Sequence, residues 1–223
     1  MLDELFAAAV AGDEKAVSQL REDAREAVYL RAVSMCSSAV AAERVAGLVV
    51  LSQWAIGRGL RFVEERVALG MLAVVDSEIE VVRAGAWVLS YLEFSSETAE
   101  RTLVGLRDSL DAEVRLAVAH GLGMRAGVEG VETLVLLTRD VDDDVRNWAT
   151  FGLVDMVDAD TPEIREALRA RLADSFEDVR LEAIWGLARR RDPEGVAILR
   201  ARLAGDDWVS GDRDVAEDLG LLD

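Results

Sequence analysis

Apolar residues in this chain fall at helical spacing, in blocks that come in pairs split by short acidic turns. The clearest pair runs Val131-Glu132-Thr133-Leu134-Val135-Leu136-Leu137, then Asp140-Val141-Asp142-Asp143-Asp144, then Val145-Arg146-Asn147-Trp148-Ala149. The next is Glu163–Leu172 with Val179–Ala188, around the turn Asp174–Asp178. Earlier pairs are Glu97–Leu106 with Val114–Leu122, and Leu60–Ala73 with Val81–Leu92. Each second block opens on Val-Arg: Val82-Arg83…Ala86…Ser90, Val114-Arg115…Val118…Leu122, Val145-Arg146…Ala149…Leu153 and Val179-Arg180…Ala183…Leu187. Those arginines stand 32, 31 and 34 residues apart. A period in the low thirties with helical patterning predicts stacked helix pairs, an all-α right-handed α-α superhelix, rather than a fold around one compact core.

A weaker copy, Glu43-Arg44-Val45…Gly47…Leu51, precedes Arg83 by 39 residues. The expected array is about five to six helix pairs in one domain. Residues 1–40 read as N-terminal capping helices beginning near Leu2, Glu14 and Ala24, residues 41–205 as repeats, and residues 206–223 as a C-terminal cap. A last unit starts with Glu194–Leu203, and Val215–Leu222 closes it. Pro162 and Pro193 follow Thr161 and Asp192, so each fits a first helical turn. At 100° per residue, positions −1, +3, +6 and +7 from the Arg share a face. That face holds Val114, Val118, Gly121 and Leu122 in one unit and Val179, Ala183, Gly186 and Leu187 in another, and it is predicted to pack on the first helix.

The motif Asp-x-x-x-Asp-Val-Arg-x-x-Ala-x-x-x-Leu, with a small residue before the Leu, resembles the HEAT repeat over roughly residues 40–205, in particular the short bacterial form labelled phycobilisome-lyase-like. The resemblance implies a HEAT-repeat solenoid in which the motif Asp and Arg pair in a ladder between neighbouring repeats. Asp140 and Asp174 stand six residues before their arginines, whereas Ser77 and Ser109 hold the corresponding earlier places, so the ladder is expected to be incomplete there. Arg83, Arg115, Arg146 and Arg180 are accordingly read as structural. A narrower stretch, Asp144–Phe151 through Asp160–Arg165, Glu177–Leu187 and Arg190–Asp192, is similar to bacterial HEAT proteins encoded beside Rhs-type polymorphic toxins. That resemblance implies an immunity role.

Hydrophobic residues make up 51% of the chain and aromatics only 5%, which suits helix-on-helix packing. The formal charge of −18 argues against nucleic acid or anionic membrane as a partner, since phosphate contacts need clustered Lys and Arg. It is satisfied either by solubility alone or by a basic protein partner. Cys36 is the only cysteine and reads as a small hydrophobe within a helix. No apolar run is long enough for a membrane span and no secretory leader is evident, so a cytoplasmic location is expected. His120 is the only histidine, which removes most catalytic triads and every poly-His metal site. No catalytic residue, metal or cofactor is expected.

Two surfaces follow from counting along the repeat. Positions +1, +5 and +8 of the second helix point away from the first helix, into the groove of a solenoid. Trp87, Val88, Tyr91, Leu116, His120, Asn147, Phe151, Leu181 and Trp185 make that groove apolar and aromatic, which marks either a binding site or ordinary repeat packing. The turns carrying Asp108, Asp111, Asp142, Asp143, Asp144, Asp174, Glu177 and Asp178 line one edge as an acidic ridge, serving as helix caps or as a binding surface. The leading expectation is a non-enzymatic protein-binding solenoid, in its concrete form an acidic inhibitor of a basic toxin domain. The alternatives are a HEAT-like DNA glycosylase of the alkylpurine type, which the net charge disfavours, and a general scaffold. Sequence alone leaves the oligomeric state open.

Overall fold

The computed structural model describes residues 1–54, 62–92, 96–124, 127–206 and 208–222. Among them are fourteen α-helices, one π-helical turn and no strand, so the fold is all-α as the patterning predicts. The chain forms two compact units, Met1–Gly121 and Leu122–Asp223.

In the first unit, α1 (Leu2–Val10), α2 (Glu14–Glu22) and α3 (Glu26–Met35) precede the pairs. Phe6, Leu20, Val28, Tyr29 and Ala32 bury one face of these helices against Val50, Leu51 and Trp54 of the α4 segment. Then come α4 (Ala41–Ser52), α5 (Val63–Ala73), α6 (Ile79–Ser90), α7 (Glu97–Gly105) and α8 (Ala112–Gly123), the last belonging to this unit as far as Gly121. Leu60 and Arg61, expected to open the helix that became α5, lie outside the described residues. Cys36 is half-buried between two core clusters, and burial pushes its thiol up to about 12.

The second unit contains α9 (Val128–Leu137), α10 (Asp143–Phe151), α11 (Pro162–Arg171), α12 (Glu177–Arg189), α13 (Pro193–Ala204) and α14 (Ser210–Asp218), with the π-helical turn Gly152–Met156 continuing α10. Both prolines occupy the first helical turn behind a capping side chain: Thr161 accepts from the Ile164 N–H and Asp192 from the Glu194 N–H. Helix α14 begins five residues before the expected Val215 because Asp212, fully buried, accepts the Val209 N–H at 3.0 Å and nucleates a turn there. No helix among the described residues is long and apolar enough to cross a membrane.

The repeat register holds in four second helices and slips by one in α6. In α4, α8, α10 and α12 the motif arginine donates through Nη1 to a carbonyl six residues back: Ser38 at 2.9 Å, Ser109 at 2.8 Å, Asp140 at 2.9 Å and Asp174 at 2.7 Å. A second ruler is the turn aspartate. Asp76, Asp140 and Asp174 each accept the N–H two residues on, and the valine five residues on, Val81, Val145 or Val179, is buried to 1% exposure or less. By that ruler Val82 stands in the arginine place and Arg83 one beyond it. Leu89, not Ser90, then aligns with Leu51, Leu122, Leu153 and Leu187, all fully buried. Counting from Val-Arg therefore misplaces every α6 position by one residue, a 100° rotation of the helix.

Candidate protein-binding surfaces

The Arg–Asp ladder is the frame on which both expected surfaces hang. Arg44 donates to Asp76 at 3.0 Å, Arg83 grips Asp111 through Nε and Nη2 at 3.0 and 2.6 Å, and Arg146 grips Asp174 the same way at 3.0 and 2.9 Å. The rungs thus exist in the early repeats, correcting the expectation that Ser77 and Ser109 interrupt them. Asp76 lies one residue before Ser77. Asp111 lies two residues after Ser109, and Arg83, displaced by the register slip, reaches it there. Hydrogen bonds hold these carboxyls below their ordinary value: chiefly the Glu78 N–H at Asp76, chiefly Arg83 at Asp111, and at Asp174 enough of them, led by Arg146, to outweigh burial, which alone would raise it. Depressed carboxylates stabilise the fold above pH ~4 and lose that contribution as pH falls through their folded values.

In the first unit the structure gathers Trp87, Tyr91 and His120. The ring centroids lie 5.4 Å apart for Trp87–Tyr91, 5.3 Å for Trp87–His120 and 4.9 Å for Tyr91–His120. Ser90 Oγ and His120 Nδ1 are hydrogen-bonded at 2.6 Å, which fixes the imidazole against α6. Leu116 is half-buried one turn before His120. Val88 is a correction: it has no exposure and packs with Leu48, Val81 and Ala84. The one-residue slip turns it onto the packing face and puts Trp87 in the row of His120. Asp108 is exposed, whereas Asp111 is spent on Arg83 and on capping Val114.

In the second unit Phe151 and Trp185 are half-buried. Phe151 meets Trp148 edge-on at 5.6 Å, and Trp185 donates its indole N–H to the buried Asp212 at 2.9 Å. Trp185 thereby packs against the α14 segment, where a Cβ at Gly211 would fall 2.4 Å from its ring. Asn147 is half-buried with its Oδ1 lacking a hydrogen-bond partner. Leu181 is a second correction: at 8% exposure it is core, in the neighbourhood of Leu172, Ile184 and Ile198. Asp174 is a third. Its side chain is 3% exposed and accepts from Arg146, Arg171 and the Phe176 N–H, so it is a strut and not part of a displayed ridge. Asp142 caps α10 through the Asp144 and Val145 N–H groups, and Asp143 reaches back to Arg146 at 2.5 Å while staying more than half exposed. Asp144, Glu177 and Asp178 are exposed.

A profile of HEAT repeats matches residues 68–154 and 136–218, more than half of the chain. This protein belongs to the HEAT-repeat family. Protein YibA of Escherichia coli K12 is 31% identical to it over 106 residues, a match spanning 48% of this chain and 37% of YibA, so the aligned part is little more than a third of that relative's length. The X-ray structure of E. coli YibA superposes with a TM-score of 0.75 at 23% identity, covering 98% of this chain and 81% of that one. A designed armadillo repeat protein solved in complex with the peptide (KR)4 superposes with a TM-score of 0.60 at 19% identity, covering 84% of this chain and 95% of that one. The HEAT fold is typical of non-enzymatic scaffolds for protein interaction.

Counting along the HEAT motif misses the interactions made by first helices. Asp192 is 2% exposed and takes Arg165 and Arg169 of α11; Asp212 takes Arg202. Nothing in the Val-Arg motif points to these pairs. It also misses Glu182, two residues past Arg180, whose buried Oε2 has no hydrogen-bond partner. Burial, with Asp178 nearby, pushes this carboxyl up to about 7. A raised carboxyl contributes stability that is complete below its unfolded value near 4.5 and lost as pH rises through about 7. Glu182→Gln is therefore expected to be more stable than the parent at pH ~8, by about 2 kcal/mol after allowing for its partial exposure, and no more stable at pH ~4.5. Urea titrations at the two pH values check this; an equal effect at both would refute it.

Proposed function

We propose that this HEAT protein is a non-enzymatic inhibitor that holds a basic protein partner, in concrete form an acidic immunity protein neutralising a toxin domain. The observation that carries the reading is the set of carboxylates still displayed beside the caps and the ladder, Asp143 among them although it also pairs with Arg146. Asp143, Asp144, Glu177 and Asp178 remain exposed at the starts of two successive second helices of the second unit. They sit in a chain whose charge is −18. Like-signed groups in such a row attract cationic segments and speed encounter, more than they stabilise the fold. The designed armadillo repeat protein, solved in complex with the peptide (KR)4, supports this class of partner. The narrower resemblance to proteins encoded beside Rhs-type toxins supports the toxin assignment. In the first unit the Trp87, Tyr91 and His120 cluster is the aromatic surface best suited to a partner's side chains, being half-buried and not core. Binding to a Lys-Arg repeat peptide, weakened by salt and lost on reversing the four carboxylates, is the expected result. Purified basic domains encoded beside the gene then test the toxin form, and absence of salt-sensitive binding to all of them would end it.

A further inference from the structure

Helix α9 carries two apolar stripes where its neighbours carry one. Thr133, Leu134 and Leu137 enter the core. Val128, Val131, Val135 and Leu136 line an open groove instead, opposite Met156 and Val157 from the π-helical turn and the strand-like segment after it. By the repeat register the places of Val128 and Val131 are held by Glu97 and Glu100 in α7 and by Pro162 and Arg165 in α11, and the place of Val135 by Arg169 in α11. A helix apolar on both faces is normally buried on both. Here Val128, Leu136 and Met156 are 78%, 56% and 42% exposed.

The groove is about 770 Å³, room for several aliphatic side chains. Its floor is held in place. Arg190 fans Nη2 into the carbonyls of Leu153, Val157 and Ala159 at 2.6, 3.1 and 3.1 Å, and Arg189 pairs with Asp155. These bonds satisfy acceptors that the π-helical turn leaves over, so the segment between α10 and α11 is pre-organised rather than waiting to order on binding. The charged groups among the lining residues are Glu132, Asp158 and Glu163, all carboxylates.

We infer that this groove docks an amphipathic segment of a protein partner, its apolar side chains seated between α9 and the π-helical turn and its Lys or Arg residues lying over Glu132, Asp158 and Glu163. The site is separate from the acidic ridge and does not depend on that reading. A second copy of this chain is disfavoured as occupant, because it would bring further carboxylates from a −18 surface against an acidic rim. A purely cationic segment leaves the apolar floor unfilled.

The test uses a labelled peptide of Leu and Lys with apolar residues at helical spacing, and its Leu–Glu counterpart, followed by fluorescence anisotropy. The Leu–Lys peptide is expected to bind at least about tenfold more tightly than the Leu–Glu peptide. Leu136→Asp with Met156→Asp is expected to weaken it by about tenfold or more, with the helical circular dichroism unchanged; Met156→Asp alone carries the test should the pair unfold. Glu132→Lys with Asp158→Lys is expected to reverse the preference between peptides. Equal binding of both peptides, or binding unaffected in the groove variants, overturns the inference. So does Leu–Lys binding lost only on reversing Asp143, Asp144, Glu177 and Asp178, which places the contact on the ridge. Sedimentation of a dimer dispersed by Leu136→Asp overturns it too, since the occupant is then a second copy.

Discussion

Asp174→Ala is expected to destabilise the protein by about 3 kcal/mol, because it leaves a guanidinium in a site built for an ion pair. Arg146 is 7% exposed and Asp174 9%, and both nitrogens of the fork face the carboxylate. Asp143 and the Asp140 carbonyl still hold Arg146 in the variant, which keeps the loss at the lower end of the range for a broken buried pair. For a chain of this size that is a fall of about 6–12 °C in the thermal midpoint. Replacing both partners, Arg146→Met with Asp174→Leu, is expected to recover most of the loss, since a buried pair contributes specificity more than net stability. The same truncation at Asp111, whose partner Arg83 is far more exposed, costs much less. Urea unfolding of the three variants checks the order. An Asp174→Ala protein as stable as the parent would contradict the strut role assigned to the ladder.

Gly152→Val is expected to cost at least about 3 kcal/mol, with Gly152→Ala between it and the parent. A Cβ on Gly152 falls 2.7 Å from the Cα of Gly123, so backbone meets backbone and no side chain can rotate away. Gly105, in α7, has nothing within 4 Å of its Cβ position. Gly105→Ala is therefore expected to stabilise by about 0.5–1 kcal/mol through helix propensity alone. Opposite signs for one substitution at two helical glycines separate close approach from intrinsic preference. Thermal denaturation reads both, and a harmless Gly152→Ala would contradict the close packing.

The helix-pair architecture was legible because its period is written in residues that must be buried: the valine before the motif position and the leucine seven after it are core in repeat after repeat. The Val-Arg string is a poorer ruler than the turn aspartate and its valine. In α6 an extra valine lets the string slide by one, and that slide alone sent Val88 to the surface on paper and left Ser90 in a leucine's place. The face geometry failed differently at Leu181. Position +1 was counted as outward from the first helix, yet Leu181 lies beside Leu172 at the end of that helix and Ile198 of α13. Asp174 carried two readings, ladder partner and ridge carboxylate; the ladder reading holds, and the ridge reading fails because an arginine 28 residues earlier consumes the carboxylate. The groove beside α9 was readable in principle. Val128, Val131 and Val135 repeat at helical spacing on a second face, a pattern easily taken for a thicker core stripe.

Titration of the protein with a fluorescent octapeptide of alternating Lys and Arg, at about 0.05 and 0.3 M salt, decides whether the acidic ridge holds a basic partner. Binding is expected to weaken steeply with salt and to be lost by about a hundredfold or more when Asp143, Asp144, Glu177 and Asp178 are all changed to Lys, with Asp143→Lys alone reporting the part that comes from Arg146 losing a partner. Binding that ignores salt, or that survives the fourfold reversal, would contradict the acidic ridge as the surface that holds the partner.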